Sequence, residues 1–290
     1  MFKGSFVALV TPFKNNEIDE KKLRELVDWH IAEGTNGLVP VGTTGEASTL
    51  SYEEHYKVIE IVASQAKKRV PVVAGAGSNS TQEAIELTRE AARLGADAVL
   101  SVNPYYNKPT QEGLRAHFTA IAKASPIPVM LYNIPSRTGS KIEATTIARL
   151  APIEHIVGVK EATGSLDEVQ ELIRLCGEQI EVYSGDDSLT LPILAVGGVA
   201  TISVVANVLP AKSAAMVGAA LAGDWEQARK LHYEMLPLIR VLFLETNPIP
   251  VKAALAKMGY CEDDLRLPLL PMSAGPRADL ERAMGAAGLI

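Results

Sequence analysis

"HIVGVKEATGSLDEVQELIRLCGEQIEVYSGDD", residues 155–187, contains the pattern that decides the fold. It opens on a short β-branched run, "HIVGVK" (155–160). Ser165 then starts an amphipathic stretch, "SLDEVQELIRLCG", and a second branched run follows, "IEVYSG" (180–185). A strand, a helix and a strand in this order make two parallel strands joined by a crossover helix, because parallel strands cannot be joined by a tight hairpin.

The unit repeats in both directions along the chain. Six further runs are "FVALVT" (6–11), "GLVPVG" (37–42), "VPVVAG" (70–75), "DAVLSV" (97–102), "PVMLYN" (128–133) and "ATISVV" (200–205). The eight runs start 20 to 33 residues apart, which leaves room for a helix and two loops in each interval. In "DEKKLRELVDWHIAEG", Leu23, Leu26, Val27 and His30 share one side. Ser51 with Glu54 three residues on reads as a capping box. Helix starts are also expected at Ser80 or Thr81, at Thr110 and at Ser165. Eight such units predict an α/β fold, a (β/α)8 TIM barrel with a helical C-terminal extension, rather than an open doubly wound sheet with unprotected edges. The barrel is expected over residues 1–224 and the helical region over 225–290, with helices in "DWEQARKLHYEMLPLIRVLF" and "IPVKAALAKMG".

Composition narrows the function classes. The 290 residues are 47% hydrophobic and 21% charged, as in an ordinary folded protein. Twenty-eight Lys and Arg stand against 34 Asp and Glu, a net charge of −6, and no basic stripe is interleaved with aromatics, which argues against nucleic acid as partner. Cys176 and Cys261 are far apart and fit a reducing compartment. No uncharged apolar run is long enough for a membrane span, and "MFKGSFVALVTPF" lacks a signal-peptide cleavage pattern, so the expected location is the cytoplasm.

In a barrel of this type the reactive rim lies at the carboxyl ends of the strands. Those ends run into "GTTGE" (42–46), "GAGSNS" (75–80), "NPYYNKP" (103–109), "YNIPSRTG" (132–139), Lys160-Glu161 and "SGDD" (184–187). Period-two alternation puts Ile156, Gly158 and Lys160 on the inward face. A lysine there either snorkels to pair with Glu161 or Asp186, or acts as a desolvated amine that attacks a ketone. Tyr132 either fills the rim or relays protons beside that amine. The "GTTG" turn either starts a helix or turns its N–H groups and hydroxyls toward a carboxylate. Arg137 is a surface arginine or a bidentate anion clamp. Tyr105-Tyr106 reads equally as a lid, a packing pair or an interface contact.

Taken together, "VGTTGEASTLS", "GAGSNST", "NPYYNKPTQEGL", "LYNIPSRTG", "GVKEATG", "YSGDD", "GVATISVVANVLP" and "NPIPVK" resemble the dihydrodipicolinate synthase family of pyruvate-dependent Schiff-base aldolases, over essentially the whole chain. The resemblance implies a lyase that condenses pyruvate with L-aspartate 4-semialdehyde in lysine and diaminopimelate biosynthesis. It implies that Lys160 forms the imine, that Tyr132 transfers protons, and that Thr43 and Tyr106 complete a hydroxyl relay, Tyr106 reaching into a neighbouring subunit. Thr44, Gly185 and Ile202 match positions around pyruvate, and Arg137 matches the one that binds the aldehyde substrate's carboxylate. No metal or organic cofactor is implied, since the imine is the electron sink. A homotetramer built from two tight dimers is implied. So is feedback inhibition by L-lysine at Ala47, Ser48, Tyr52, His55, Asn79, Glu83 and Tyr105, with Tyr52 departing from the histidine often found there. The competing readings are another pyruvate aldolase acting on sugar acids, which "GTTGE" and Arg137 disfavour, and a non-catalytic keto-acid-binding barrel, which Lys160 and Tyr132 disfavour.

Overall fold

The computed structural model describes residues 2–290. Its strands are β1 (Gly4–Ala8), β2 (Phe13–Lys14), β3 (Glu17–Ile18), β4 (Gly37–Val39), β5 (Val73–Gly75), β6 (Ala98–Val102), β7 (Val129–Asn133), β8 (Ile156–Glu161), β9 (Glu181–Ser184) and β10 (Ala200–Ser203). The helices in order are α1 (Glu20–Ala32), α2 (Tyr52–Ala66), α3 (Thr81–Arg93), α4 (Gln111–Ala124), α5 (Pro135–Thr138), α6 (Ala144–Leu150), α7 (Leu166–Cys176), α8 (Thr190–Ala195), α9 (Pro210–Leu221), α10 (Trp225–Val241), α11 (Ile249–Lys257) and α12 (Ala274–Ala286).

Eight parallel strands pair in the order β4-β1-β10-β9-β8-β7-β6-β5, and β2 and β3 form a small separate hairpin. The two ends of the sheet meet through a parallel bridge between Leu38 and Val72, with Leu38 N–H donating to Pro71 O and Gly75 N–H to Pro40 O, each at 3.0 Å. This is the expected (β/α)8 barrel, nearly closed, with the helices outside. Alternate residues of each strand split into two cores. Phe6, Val39, Val73, Leu100, Met130, Tyr132, Tyr183 and Ile202 fill the barrel, while Val7, Leu38, Val99, Leu131, Val159 and Val182 face the helix layer.

The helix signals read in the sequence are formed. Leu23, Leu26, Val27 and His30 are the buried face of α1. Ser51 and Glu54 make both bonds of a capping box, and the Thr110 and Ser165 side chains cap α4 and α7. Ser80, not Thr81, is the N-cap of α3. The C-terminal helices α10, α11 and α12 follow the last barrel helix, α9, and α12 packs on both α10 and α11. Helix α12 was not read as a separate element, because only Leu280 and Met284 of its residues are buried and its apolar stripe is correspondingly thin.

One alternation is corrected. Ile156 faces the helix layer, not the barrel interior. Val129 pairs with Ile156 but Met130 pairs with Gly158, so a register irregularity passes over Val157 and resets the parity before Gly158 and Lys160. No helix among the described residues is long and apolar enough to cross a membrane.

Candidate active site

Strands β7 and β8 run in register where it matters: Tyr132 lies beside Lys160, and Lys160 beside Tyr183 of β9. Lys160 is 6% exposed, and its Nζ sits 4.2 Å from the centre of the Tyr132 ring. The ring's electron-rich face stabilises an ammonium, yet an aromatic face does not neutralise it as a carboxylate would. The two carboxylates that offered an ion pair are committed elsewhere. Glu161 accepts Asn133 Nδ2 at 3.0 Å and Thr163 N–H at 2.7 Å, and Asp186 accepts the N–H and hydroxyl of Ser188. Burial pushes the Glu161 carboxyl above the usual range, against the pull of those bonds.

Space for the lysine is made by a glycine. A Cβ on Gly185 would stand 2.8 Å from Ala162 Cβ and 3.0 Å from both Glu161 O and Lys160 Cε, so any larger residue there forces these neighbours to move. Gly185 N–H donates to Glu161 O at 2.8 Å, which fixes this close approach. Ile202 lies in the barrel interior, paired in register with Phe6.

Thr43, Tyr132 and Arg137 line one cavity of about 500 Å³. Lys160 is packed against the Tyr132 ring rather than forming that wall. Thr44 is buried and its Oγ1 accepts Asn247 Nδ2 at 2.9 Å. Asn247 O accepts Arg137 Nη2 at 2.9 Å, so one residue holds both the threonine turn and the arginine. Asn247 was missed in the sequence. It stands in "NPIPVK", but neither periodicity nor composition tells which polar residue of a C-terminal segment returns to the barrel mouth.

Ala47, Ser48, Tyr52, His55, Glu83 and Tyr105 line the same cavity. His55 is buried, its Nε2 is 2.8 Å from Gly75 O, and burial pushes its pKa down. Glu83 accepts the Ser78 hydroxyl at 2.6 Å. Asn79 lies off the cavity wall and donates to Tyr105 O at 3.3 Å. Tyr106 is the position that the chain by itself does not bring to Lys160: it is 88% exposed and held at φ 69°. No group of three or more His, Cys, Asp or Glu residues is placed to hold a metal ion among the described residues.

A parallel barrel with an amine-bearing strand end under a tyrosine ring, and polar loops around one cavity, defines a lyase of the Schiff-base aldolase type. The chain belongs to the dihydrodipicolinate synthetase family, whose model matches residues 1–287. It is 58% identical over 290 residues to 4-hydroxy-tetrahydrodipicolinate synthase of Thermodesulfovibrio yellowstonii, covering 100% of both chains. Among solved structures it resembles a chloride-inhibited dihydrodipicolinate synthase from Acinetobacter baumannii complexed with pyruvate, with TM-score 0.99, 49% identity and 100% of both chains covered. It also resembles the enzyme from Cyanidioschyzon merolae with lysine bound, with TM-score 0.96, 42% identity, and 100% of this chain and 99% of that one covered.

Proposed function

We infer that Lys160 is the residue on which this enzyme carries pyruvate. The chain is a lyase of lysine biosynthesis that condenses pyruvate with L-aspartate 4-semialdehyde through a lysine Schiff base. The observation that carries the assignment to Lys160 is its place: a lysine 6% exposed, beside Tyr132, with neighbouring carboxylates engaged elsewhere. In its neutral form the amine attacks the pyruvate ketone, water leaves, and the imine draws electrons so that the methyl carbon loses a proton. The resulting enamine attacks the aldehyde, and the substrate's own amine then displaces Lys160 by transimination. Tyr132, with Thr43 and a neighbouring subunit's Tyr106, moves the protons in this scheme. Thr44, Gly185 and Ile202 surround pyruvate. Borohydride trapping of the imine tests the assignment, with a pyruvate-derived adduct expected on Lys160.

Arg137 orients the semialdehyde through that substrate's carboxylate. The support is its position on the cavity wall, where a planar guanidinium matches a carboxylate. Arg137→Ala raises the KM for the semialdehyde by about 10- to 100-fold, the range for loss of a charge-assisted pair. Pyruvate KM changes much less. Steady-state kinetics with each substrate varied check this, and equal rises in the two constants contradict it.

L-Lysine inhibits the enzyme from the Glu83 side of the cavity. The supporting observations are the clustering of Ser48, Tyr52, His55, Glu83 and Tyr105 on one cavity and the lysine-bound relative. Glu83 receives the effector's α-amine, and Asn79 and Tyr105 orient its carboxylate. Glu83→Ala weakens lysine binding and inhibition by about 10- to 100-fold while pyruvate still forms its imine. A lysine titration at several pyruvate concentrations, with direct binding measured alongside, tests it. Identical binding in both proteins overturns the site.

The chain assembles as a tetramer of two tight dimers, with Tyr106 exchanged between the members of a dimer. Its exposure supports that reading: an aromatic side chain left 88% in water by its own chain is available to a second copy. Sedimentation velocity on dilute enzyme, with activity assayed at the same concentrations, is expected to find a tetramer. A fully active monomer contradicts the shared relay.

A further inference from the structure

Two charged side chains to which the reaction above gives no role lie beside the Thr43-Thr44 turn, Glu46 at the edge of the cavity and Lys252 beneath it. Lys252, on α11, is fully buried, and Glu46, just past the turn, is 3% exposed. Lys252 Nζ donates to Glu46 Oε1 at 2.6 Å and to the Thr11 carbonyl at 3.1 Å. Thr11 Oγ1 in turn donates to the Gly45 carbonyl at 2.7 Å. The other Glu46 oxygen accepts the Arg266 backbone N–H at 3.2 Å. The Phe13 ring packs against both cations, 4.3 Å from Lys252 Nζ and 4.4 Å from Arg266 Cζ.

Glu46 is held at φ 55°, in the left-handed region, and its N–H closes the turn onto the Thr43 carbonyl at 3.1 Å. That region is uncommon for a residue with a side chain, and here the turn is held by the bonds just described. The desolvation of a buried ion pair is costly, and apolar residues of similar volume often hold a fold as well or better. Stability alone therefore gives no reason for charges at this point. Geometry does. One ammonium grips two chain segments, Thr11 and Glu46, that flank the turn, while Asn247, just before the same helix, grips Thr44 and Arg137.

We propose that the Lys252–Glu46 pair is a positioning device: it locks α11 onto the strained turn so that Thr43, Thr44 and Arg137 meet the two substrates in register. Lys252 lies off the cavity wall; Glu46 reaches that wall, but both of its carboxylate oxygens are engaged, by Lys252 Nζ and by the Arg266 N–H. The proposal rests on the roles given above to the threonines and to Arg137.

The test compares full-length wild type with two variants. Glu46→Asp keeps the charge and shortens the reach by one methylene. The double variant Lys252→Met with Glu46→Gln removes both charges at similar volume and leaves no unpaired ion. Each is followed by thermal melting, by borohydride trapping of pyruvate, and by steady-state kinetics. Both variants are expected to melt cooperatively and to trap pyruvate on Lys160. Their kcat falls and their KM for pyruvate rises, together lowering kcat/KM about 10- to 100-fold, the scale of a misplacement of roughly 1 Å. A pair serving stability alone gives no such loss in a folded protein. Wild-type kcat and KM in Glu46→Asp overturn the proposal, whether or not the double variant folds; so do wild-type constants in the double variant. Failure of the wild type to trap pyruvate on Lys160 is a failure of the imine assignment instead, and is seen in the control.

Discussion

Lys160→Ala leaves a folded protein with essentially no turnover. The expected loss is on the order of 10⁴- to 10⁶-fold, the scale on which a covalent nucleophile is missed. The reason is local. Lys160 is the amine at the end of β8 beside Tyr132, and the other buried lysine near the barrel mouth, Lys252, is tied to Glu46 at 2.6 Å. Among the described residues no lysine other than these two is buried. The fold survives because the side chain has no ion pair to leave broken: Glu161 and Asp186 bond to Asn133, Thr163 and Ser188. Circular dichroism and a thermal melt establish folding, and a coupled assay reads turnover. Substantial turnover in this variant contradicts the imine mechanism.

Tyr132→Phe separates the ring from its hydroxyl. The ring that faces Lys160 Nζ at 4.2 Å is retained, and with it the packing of the barrel interior. Only the hydroxyl is lost, the group proposed to transfer protons. Removal of a general acid or base costs about 10²- to 10⁴-fold, so kcat is expected to fall in that range with the melting temperature nearly unchanged. Near-normal kcat would remove Tyr132 from proton transfer and leave it a packing residue. The two variants also differ in kind: Lys160→Ala cannot be trapped with pyruvate, whereas Tyr132→Phe still can, more slowly.

Much of this arrangement is legible in the sequence because it follows from short-range physics. Strand positions show as branched runs, and α1 buries the four residues that its periodicity singles out. Ser51, Thr110 and Ser165 cap helices through bonds made within three residues. Lys160 is found because an apolar strand that ends on a charge needs an explanation. The inward side of Ile156 was misread because alternation assumes an unbroken ladder, and the irregularity over Val157 depends on how β8 fits β7. The first strand, read over 6–11, lies at Gly4–Ala8, since its extent is set by pairing with β10 and β4 rather than by its own apolar run. Asn247 and Lys252 escape notice for a related reason. Their partners, Thr44 and Glu46, lie 203 and 206 residues away, and no local pattern links them. The exposed Tyr106 marks the opposite limit: nothing among the described residues packs on its ring, so the readings of it as a lid, a packing residue or an interface contact are separated only by the assembly state.

The most direct measurement is borohydride reduction of the wild-type enzyme in the presence of pyruvate, followed by proteolysis and mass analysis of the peptides. Reduction converts the imine to a stable secondary amine and records which nitrogen carried the substrate. The account predicts a single pyruvate-derived adduct on the peptide that contains Lys160, dependent on both pyruvate and reductant, with loss of activity in proportion to labelling. An adduct on another lysine, or full activity surviving reduction with no adduct on Lys160, would contradict it.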